Sequence, residues 1–324
     1  MELIANYFFS LGWVIVAVLG YFFIAIVAVF DKYLLHSRIS KPAVYAFYVA
    51  IFSLFALFFV PFGFSFPGLR LVFYAILSGF FYVYGLVALY KAVSENEVSR
   101  VSPLVVGTVI PLVSVVFAYI FLGERLGLVG ILSVMVLTLG GFLISFDLPI
   151  NSLKLFRGFK YSLLSGVLQA LSLAILKGVF NGTDFLNGFI WNRIGFFLAG
   201  ISLLGIPIFR KQIKASFAFG KKSKKTVAST GLLFVLNKIM AGTGSFLIVF
   251  AISIGSVSAV NATGSIQFVF VLMIASFLSI RHKEIFQEKL ALNDWIQKAF
   301  SILLIAFGLW MLSNASVKFF YLTS

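Results

Sequence analysis

The sequence contains no cysteine and only two histidines. Disulfide frameworks and thiol nucleophiles are excluded, and redox usage says nothing about compartment. His36 and His282 stand alone at segment ends, so no metal cluster can form around them. Charge is scarce as well, at 11% of residues, where a soluble domain carries about 25%. Acids are scarcest, ten against 25 basic residues. No pair of carboxylates lies within an apolar segment to do acid–base work. No glycine-rich nucleotide loop occurs. Gly242-Thr243-Gly244-Ser245 lacks the Gly-x-Ser-x-Gly spacing of a nucleophile turn, and no histidine is placed to activate it. Neither an enzyme nor a bound metal or cofactor is expected.

What the chain has in abundance is apolar length. It is 61% hydrophobic with a mean hydropathy of +1.10, against about 45–50% apolar in soluble domains. Ten apolar segments can be drawn, at about 12–35, 43–62, 69–91, 99–122, 127–146, 159–180, 185–208, 227–252, 256–280 and 298–319. Each is near the roughly 20 residues that cross about 30 Å of hydrocarbon. The first run, Leu11 to Leu35, is too long for a signal-peptide core and lacks a basic start, so it reads as the first span. The expected fold is an all-α polytopic membrane protein with ten transmembrane helices.

Two stretches repeat. Val93-Ser94, Val98-Ser99 and Val101 recur as Ile252-Ser253, Val257-Ser258 and Val260. Repetition inside a membrane protein points to a transporter built from two related halves. Residues 1–146 form the first half, 147–158 a junction with the turn-like Asp147-Leu148-Pro149-Ile150-Asn151, and 159–324 the second half. Five helices per half bring the second half in from the opposite side, so the repeats are inverted.

The net charge of +15 would point to nucleic acid in a soluble protein. Here no aromatic-rich basic surface is available, and no nucleic-acid partner is expected. Instead 18 of the 25 basic residues fall in the loops after the odd-numbered segments or within two residues of them. That bias puts both termini outside and the loop 209–225 in the cytoplasm. The stretch Arg210–Lys225, with Lys221-Lys222-Ser223-Lys224-Lys225 and no acid, anchors topology and meets anionic lipid.

Polar groups inside the spans mark the candidate site, because a charged side chain at the bilayer centre costs on the order of 2.5–3.5 kcal/mol. Lys238 lies about half-way along the eighth segment beside Asn237, with Ser245 on the same face as Asn237 and Gly242 and Gly244 expected to bring another backbone close. Asn261, Thr263 and Gln267 give the ninth segment polar stripes, answered in the fourth by Thr108 and the helix-breaking Pro111. Pro111 frees a carbonyl that must face protein or a watery cavity. Tyr90 neighbours the polar elbow Ser94-Glu95-Asn96-Glu97. These residues are the cavity candidates. Asp31, the one carboxylate within a span, with Lys32 and Lys177 near the ends of the first and sixth segments, are the gating or coupling candidates. Arg193, about nine residues into the seventh segment, reads as structural, holding a helix end or a headgroup.

Several of these residues resemble the EamA type of the drug/metabolite transporter superfamily. They are the small Ala92 at the end of the third segment, the polar turn, the central Pro111, the closing Gly123-Glu124-Arg125-Leu126 and Arg193. The resemblance spans essentially the whole chain. It implies a ten-helix basket with a central cavity and small-metabolite substrates. Two departures stand out. Phe270 occupies the place of a second central proline, and Glu284 is one residue out of register. Relatives are usually drawn with both termini in the cytoplasm, whereas the charge bias here places them outside. The expected function is secondary transport of a small polar metabolite, anionic or zwitterionic, amino-acid-like or sugar-like. The alternatives are a flippase for a polyprenyl-phosphate-linked sugar and a non-transporting membrane scaffold. The resemblance implies a prokaryotic cytoplasmic (inner) membrane. Oligomeric state is open, a homodimer being one option.

Overall fold

A computed structural model describes residues 2–37, 41–95, 101–143, 158–217, 224–281 and 292–323. Every regular element among them is helical. In chain order these are α1 (Glu2–Ser37), α2 (Pro42–Phe52) continued by a 3-10 helix (Ser53–Phe62), and α3 (Leu69–Glu95). Next come α4 (Ile110–Phe117) between π-helical turns at Pro103–Val109 and Ala118–Leu122, α5 (Leu128–Leu143) and α6 (Phe159–Phe180). Then follow α7 (Phe185–Leu203), α8 (Pro207–Phe217) and α9 (Lys224–Ile254). The last are α10 (Val257–Ala262), a 3-10 turn (Thr263–Ser265), α11 (Ile266–Arg281) and α12 (Leu292–Thr323). Eight stretches are long and apolar enough to span, α7 with α8 forms a further bent candidate, and α5 is a shorter apolar helix. The ten expected segments are all present. The chain is a multi-pass integral membrane protein.

The irregularities have chemical causes. Pro111 cannot donate to the carbonyl four residues back. The chain answers with π-type bonding ahead of it, where Ile110 N–H reaches Val105 O. Gly107, the residue whose carbonyl is freed, packs against Gly141 and Phe268, so this face meets protein as Pro111 requires. The second half lacks that proline and is irregular nonetheless. Thr263 turns its hydroxyl onto its own helix at Val260 O, and the chain tightens to 3-10 at that point. The break at Ile254-Gly255-Ser256 is real, since α9 ends at Ile254 and α10 starts at Val257. The seventh segment does not run to 208. It stops at Leu203 and α8 leaves at 98°, laying Arg210, Lys211 and Lys214 outward while Ile213 docks against Val44 and Phe47 of α2.

Small residues set the closest crossings, as expected where lipid offers no hydrophobic drive between helices. A Cβ at Gly79 of α3 would lie 2.6 Å from the Gly195 backbone of α7. Gly20 of α1 and Gly244 of α9 meet in the same way, a Cβ on either falling within 3.1 Å of the other's carbonyl oxygen. Gly242 makes no such approach and faces open space. It is two residues from Gly244, so it points to the far side of the helix. The main packed pairs are α1 with α9, α3 with α6 and α7, and α5 with α12.

Candidate functional site

A cavity of about 270 Å³ lies among α1, α2, α3, α7 and α9. It is continuous with a smaller chamber of about 110 Å³ through Tyr82, Gln169, Arg193, Ser245 and Gln267, which line both. The larger chamber extends toward Asp31, Tyr90 and Lys238. The smaller reaches Tyr21, Asn192 and Asn261.

Arg193 holds the junction. Asp184 caps α7 by accepting from Asn187 N at 3.0 Å, which fixes where the helix starts and therefore where Arg193 falls. Its guanidinium lies 4.6 Å and 4.5 Å from the ring centres of Phe189 and Phe196, its neighbours on the same helix face. Nη2 donates to Ser245 Oγ of α9 at 2.9 Å. Nε is buried with no acceptor. Among the described residues no carboxylate pairs with this guanidinium. Asn192 beside it donates to Ala75 O at 3.3 Å and Ser78 Oγ at 3.0 Å, tying α7 to α3.

A second cluster sits farther along the cavity. Asp31 Oδ1 accepts from Tyr45 OH and, at 2.6 Å, from Asn237 Nδ2. Lys238 Nζ lies 3.5 Å from the same oxygen, donates to Tyr45 OH at 2.7 Å and hovers 4.3 Å from the Tyr45 ring centre. The four residues join α1, α2 and α9, with Tyr90 of α3 packed edge-on against Tyr45 at 4.6 Å.

At the opposite end the closing Gly-Glu of the first half reaches the second. Gly123 adopts φ +66, which ends the π turn and turns Glu124 toward α10. Glu124 accepts from Ser256 Oγ (3.0 Å), Val257 N (3.1 Å) and Ser258 Oγ (3.2 Å). Lys177 Nζ donates to Ser253 O at 3.0 Å beside it. Between the two ends α4 and α10 are bolted together, Asn261 Nδ2 donating to Ser114 Oγ at 2.7 Å.

Of the residues singled out from sequence, Lys238, Ser245, Asn261, Gln267, Tyr90 and Asp31 all line this cavity. Gln267 places a buried Oε1 there with no donor. Asn237 lies behind the wall and holds Asp31. Thr108 and Thr263 do not line it: both hydroxyls bond to carbonyls of their own helices, Pro103 O and Val260 O. Lys177 belongs to the far end. The side chain of Lys32 lies outside the described residues, as do 218–223 of the basic loop. Arg193, read from the sequence as structural, lines both chambers and also ties α7 to α9 through Ser245. Gln169 and Tyr45 were not singled out, and Tyr82, which reads from sequence as interface belt or packing, lines both chambers. For Arg193 a signal existed: nine residues at about 1.5 Å each already reach the bilayer's middle.

The fold is that of a multi-pass membrane protein with a cavity among its helices. Residues 11–146 match the EamA-like transporter family. That stretch, the first five apolar segments, is similar to the EamA-like transporters. No curated protein matches the sequence. A crystal structure of another protein shares the fold, with a TM-score of 0.65 at 10% identity over 96% of this chain and 98% of that one.

Proposed function

We propose that this protein is a secondary transporter of small organic anions or zwitterions, working by alternating access between two inverted repeats. One observation carries the reading. The central cavity holds a guanidinium without a carboxylate partner, while the one cavity carboxylate, Asp31, is already matched by Lys238. A guanidinium keeps its charge in proteins, so the centre of the cavity is positive. A carboxylate about 4 Å away gains roughly 4 kcal/mol at an effective dielectric near 20, and a cation loses as much. The volume of about 270 Å³ lies just under the roughly 300–1,000 Å³ of drug-sized pockets, which suits a single small metabolite. The excess of basic residues in the loops supports an orientation with the Asp31–Lys238 end toward the cytoplasm, where the exposed Arg210, Lys211 and Lys214 would meet anionic lipid.

The test is ligand stabilisation of purified protein by lactate, succinate and alanine, followed by counterflow in proteoliposomes. A ligand at a hundred times its dissociation constant stabilises by about 2.7 kcal/mol. The effect is expected to vanish in Arg193→Gln. Stabilisation by cations only, or undiminished anion binding in Arg193→Gln, overturns the reading. The lipid-carrier alternative has one observation in its favour: Gly242 lines the cavity yet stands exposed on α9. Binding of a polyprenyl phosphate that soluble anions fail to displace would favour it.

A further inference from the structure

The Asp31–Lys238 cluster is built from more groups than a structural ion pair needs, and it opens onto the cavity. Three donors converge on one oxygen, Asp31 Oδ1: Tyr45 OH, Asn237 Nδ2 and Lys238 Nζ. The lysine contact is the loosest at 3.5 Å, because Nζ also serves Tyr45 OH at 2.7 Å. Lys238 and Asp31 side chains are 8% and 18% exposed, and both line the larger chamber. Asp31 is the one carboxylate there among the described residues. An internal carboxylate therefore occupies a cation in a cavity that, on the reading above, receives carboxylates.

We propose that Lys238 is a second anion subsite held in reserve by Asp31, and that an entering carboxylate displaces Asp31, which takes up one proton as it is released. This rests on the anion-transporter reading and adds to it a proton coupled to each anion bound. The step balances. The Lys238 ammonium keeps its three protons and exchanges one carboxylate partner for another. An O–H bond forms on Asp31 with a proton from cavity water, replenished from bulk solvent. A monocarboxylate and the proton then enter together with no net charge. The reason for the uptake is repulsion. Two carboxylates about 5 Å apart on one ammonium oppose each other by roughly 3 kcal/mol at a dielectric near 20, and like charges sharing a site resolve this by protonating one. Tyr45 and Asn237 remain beside Asp31 to bond its acid form.

The charged and titratable groups facing Asp31 are Tyr45 from α2, Tyr90 from α3 and Lys238 from α9. From α11, Val271 and Ile274 meet α1 beside Val29, and α12 joins α1 in the apolar core that holds Trp13 and Leu312. No second described carboxylate stands ready to take the proton instead.

The experiment is calorimetric titration of the full-length protein with lactate and succinate, in two buffers of different ionisation enthalpy, across a pH series. The wild type is expected to take up as much as one proton per anion, its affinity falling by up to tenfold per pH unit across a window of about two units, the span that roughly 3 kcal/mol of repulsion supplies. Asp31→Asn is expected to bind without proton uptake and with affinity flat in pH. Lys238→Gln is expected to weaken binding and to lose the uptake. Asp31→Asn/Lys238→Gln leaves no unpaired buried charge and serves if either single variant fails to fold. It too is expected to bind through Arg193 without uptake. Anion binding that depends on Arg193 but moves no proton in the wild type overturns this inference and leaves the transporter reading standing. Uptake that persists in Asp31→Asn also overturns it. Absence of binding by either carboxylate at every pH overturns both.

Discussion

Replacing Glu124 should loosen one end of the transporter while leaving the other intact. Its carboxylate takes three hydrogen bonds, at 3.0, 3.1 and 3.2 Å, from Ser256 Oγ, Val257 N and Ser258 Oγ. Bonds to a charged acceptor contribute about 1.5–3 kcal/mol each. Two features reduce the loss. Glu124 is only partly buried, so water replaces some of what is removed. Ser256 also caps Ala259 N by itself at 3.2 Å. About 1 kcal/mol per bond is the reasonable value, so Glu124→Ala should destabilise by about 3 kcal/mol. Glu124→Gln keeps one acceptor oxygen and loses the charge, and should fall about half-way. Denaturant unfolding in mixed micelles measures both. The sequence has no cysteine, so a single cysteine at Ser253 reports accessibility on a clean background. In the Ala variant its labelling should accelerate, because α9 and α10 are no longer held to the first half. If both variants unfold within about 0.5 kcal/mol of the parent and labelling is unchanged, Glu124 is a solvated surface acid and the latch is refuted.

Three further outcomes are expected. Gly79→Val should abolish well-folded protein or lower stability by several kcal/mol, since its Cβ would meet the Gly195 backbone at 2.6 Å, whereas Gly242→Ala, facing open space, should change little; gel filtration and thermal unfolding compare the two. Ser114→Ala should cost about 1–3 kcal/mol by orphaning Asn261 Nδ2, now bonded at 2.7 Å, and adding Asn261→Leu should recover part of that loss in a double-mutant cycle. Lys91→Gln should alter stability by less than about 0.5 kcal/mol, because the Lys91–Glu95 pair, 2.8 Å apart, is 45% and 29% exposed.

The spans were legible because hydropathy and length decide them, and the break before Val257 was legible from the internal repeat. The cavity candidates on the ninth segment were partly legible. Asn261 and Gln267 reach it because long amides extend past the helix surface, while Thr108 and Thr263 are short enough to bond their own helices instead. Lys238 announced itself by its cost in lipid, but its partners did not. Asp31 lies 206 residues from Asn237, and nothing in local spacing pairs them. Tyr45 was invisible for another reason. A tyrosine near a span end reads as an interfacial ring, and only the tertiary fold turns it inward beneath Lys238. Arg193 was placed correctly along its helix, but the cavity it lines was not legible from local spacing.

The two contacts between the halves, one at the cavity's Asp31 end and one beyond its far end, use different chemistry that shares one feature. At one end the first half supplies a carboxylate, Asp31, and the second half the ammonium of Lys238. At the other the first half again supplies a carboxylate, Glu124, and the second half the N-terminus of α10 with two serines. Both contacts cross between halves, and both are partly exposed, so water can reach each one as it opens. A fully buried pair would cost several kcal/mol to separate, too much for a thermally cycling gate. Arg193 lies between the two ends and is committed to neither, since its hydrogen bond goes to a serine of its own half. On the transport reading, an anion entering from the Lys238 end displaces Asp31 from that ammonium on its way to Arg193. The proton that Asp31 then takes up keeps the two carboxylates from repelling each other while that end stands open.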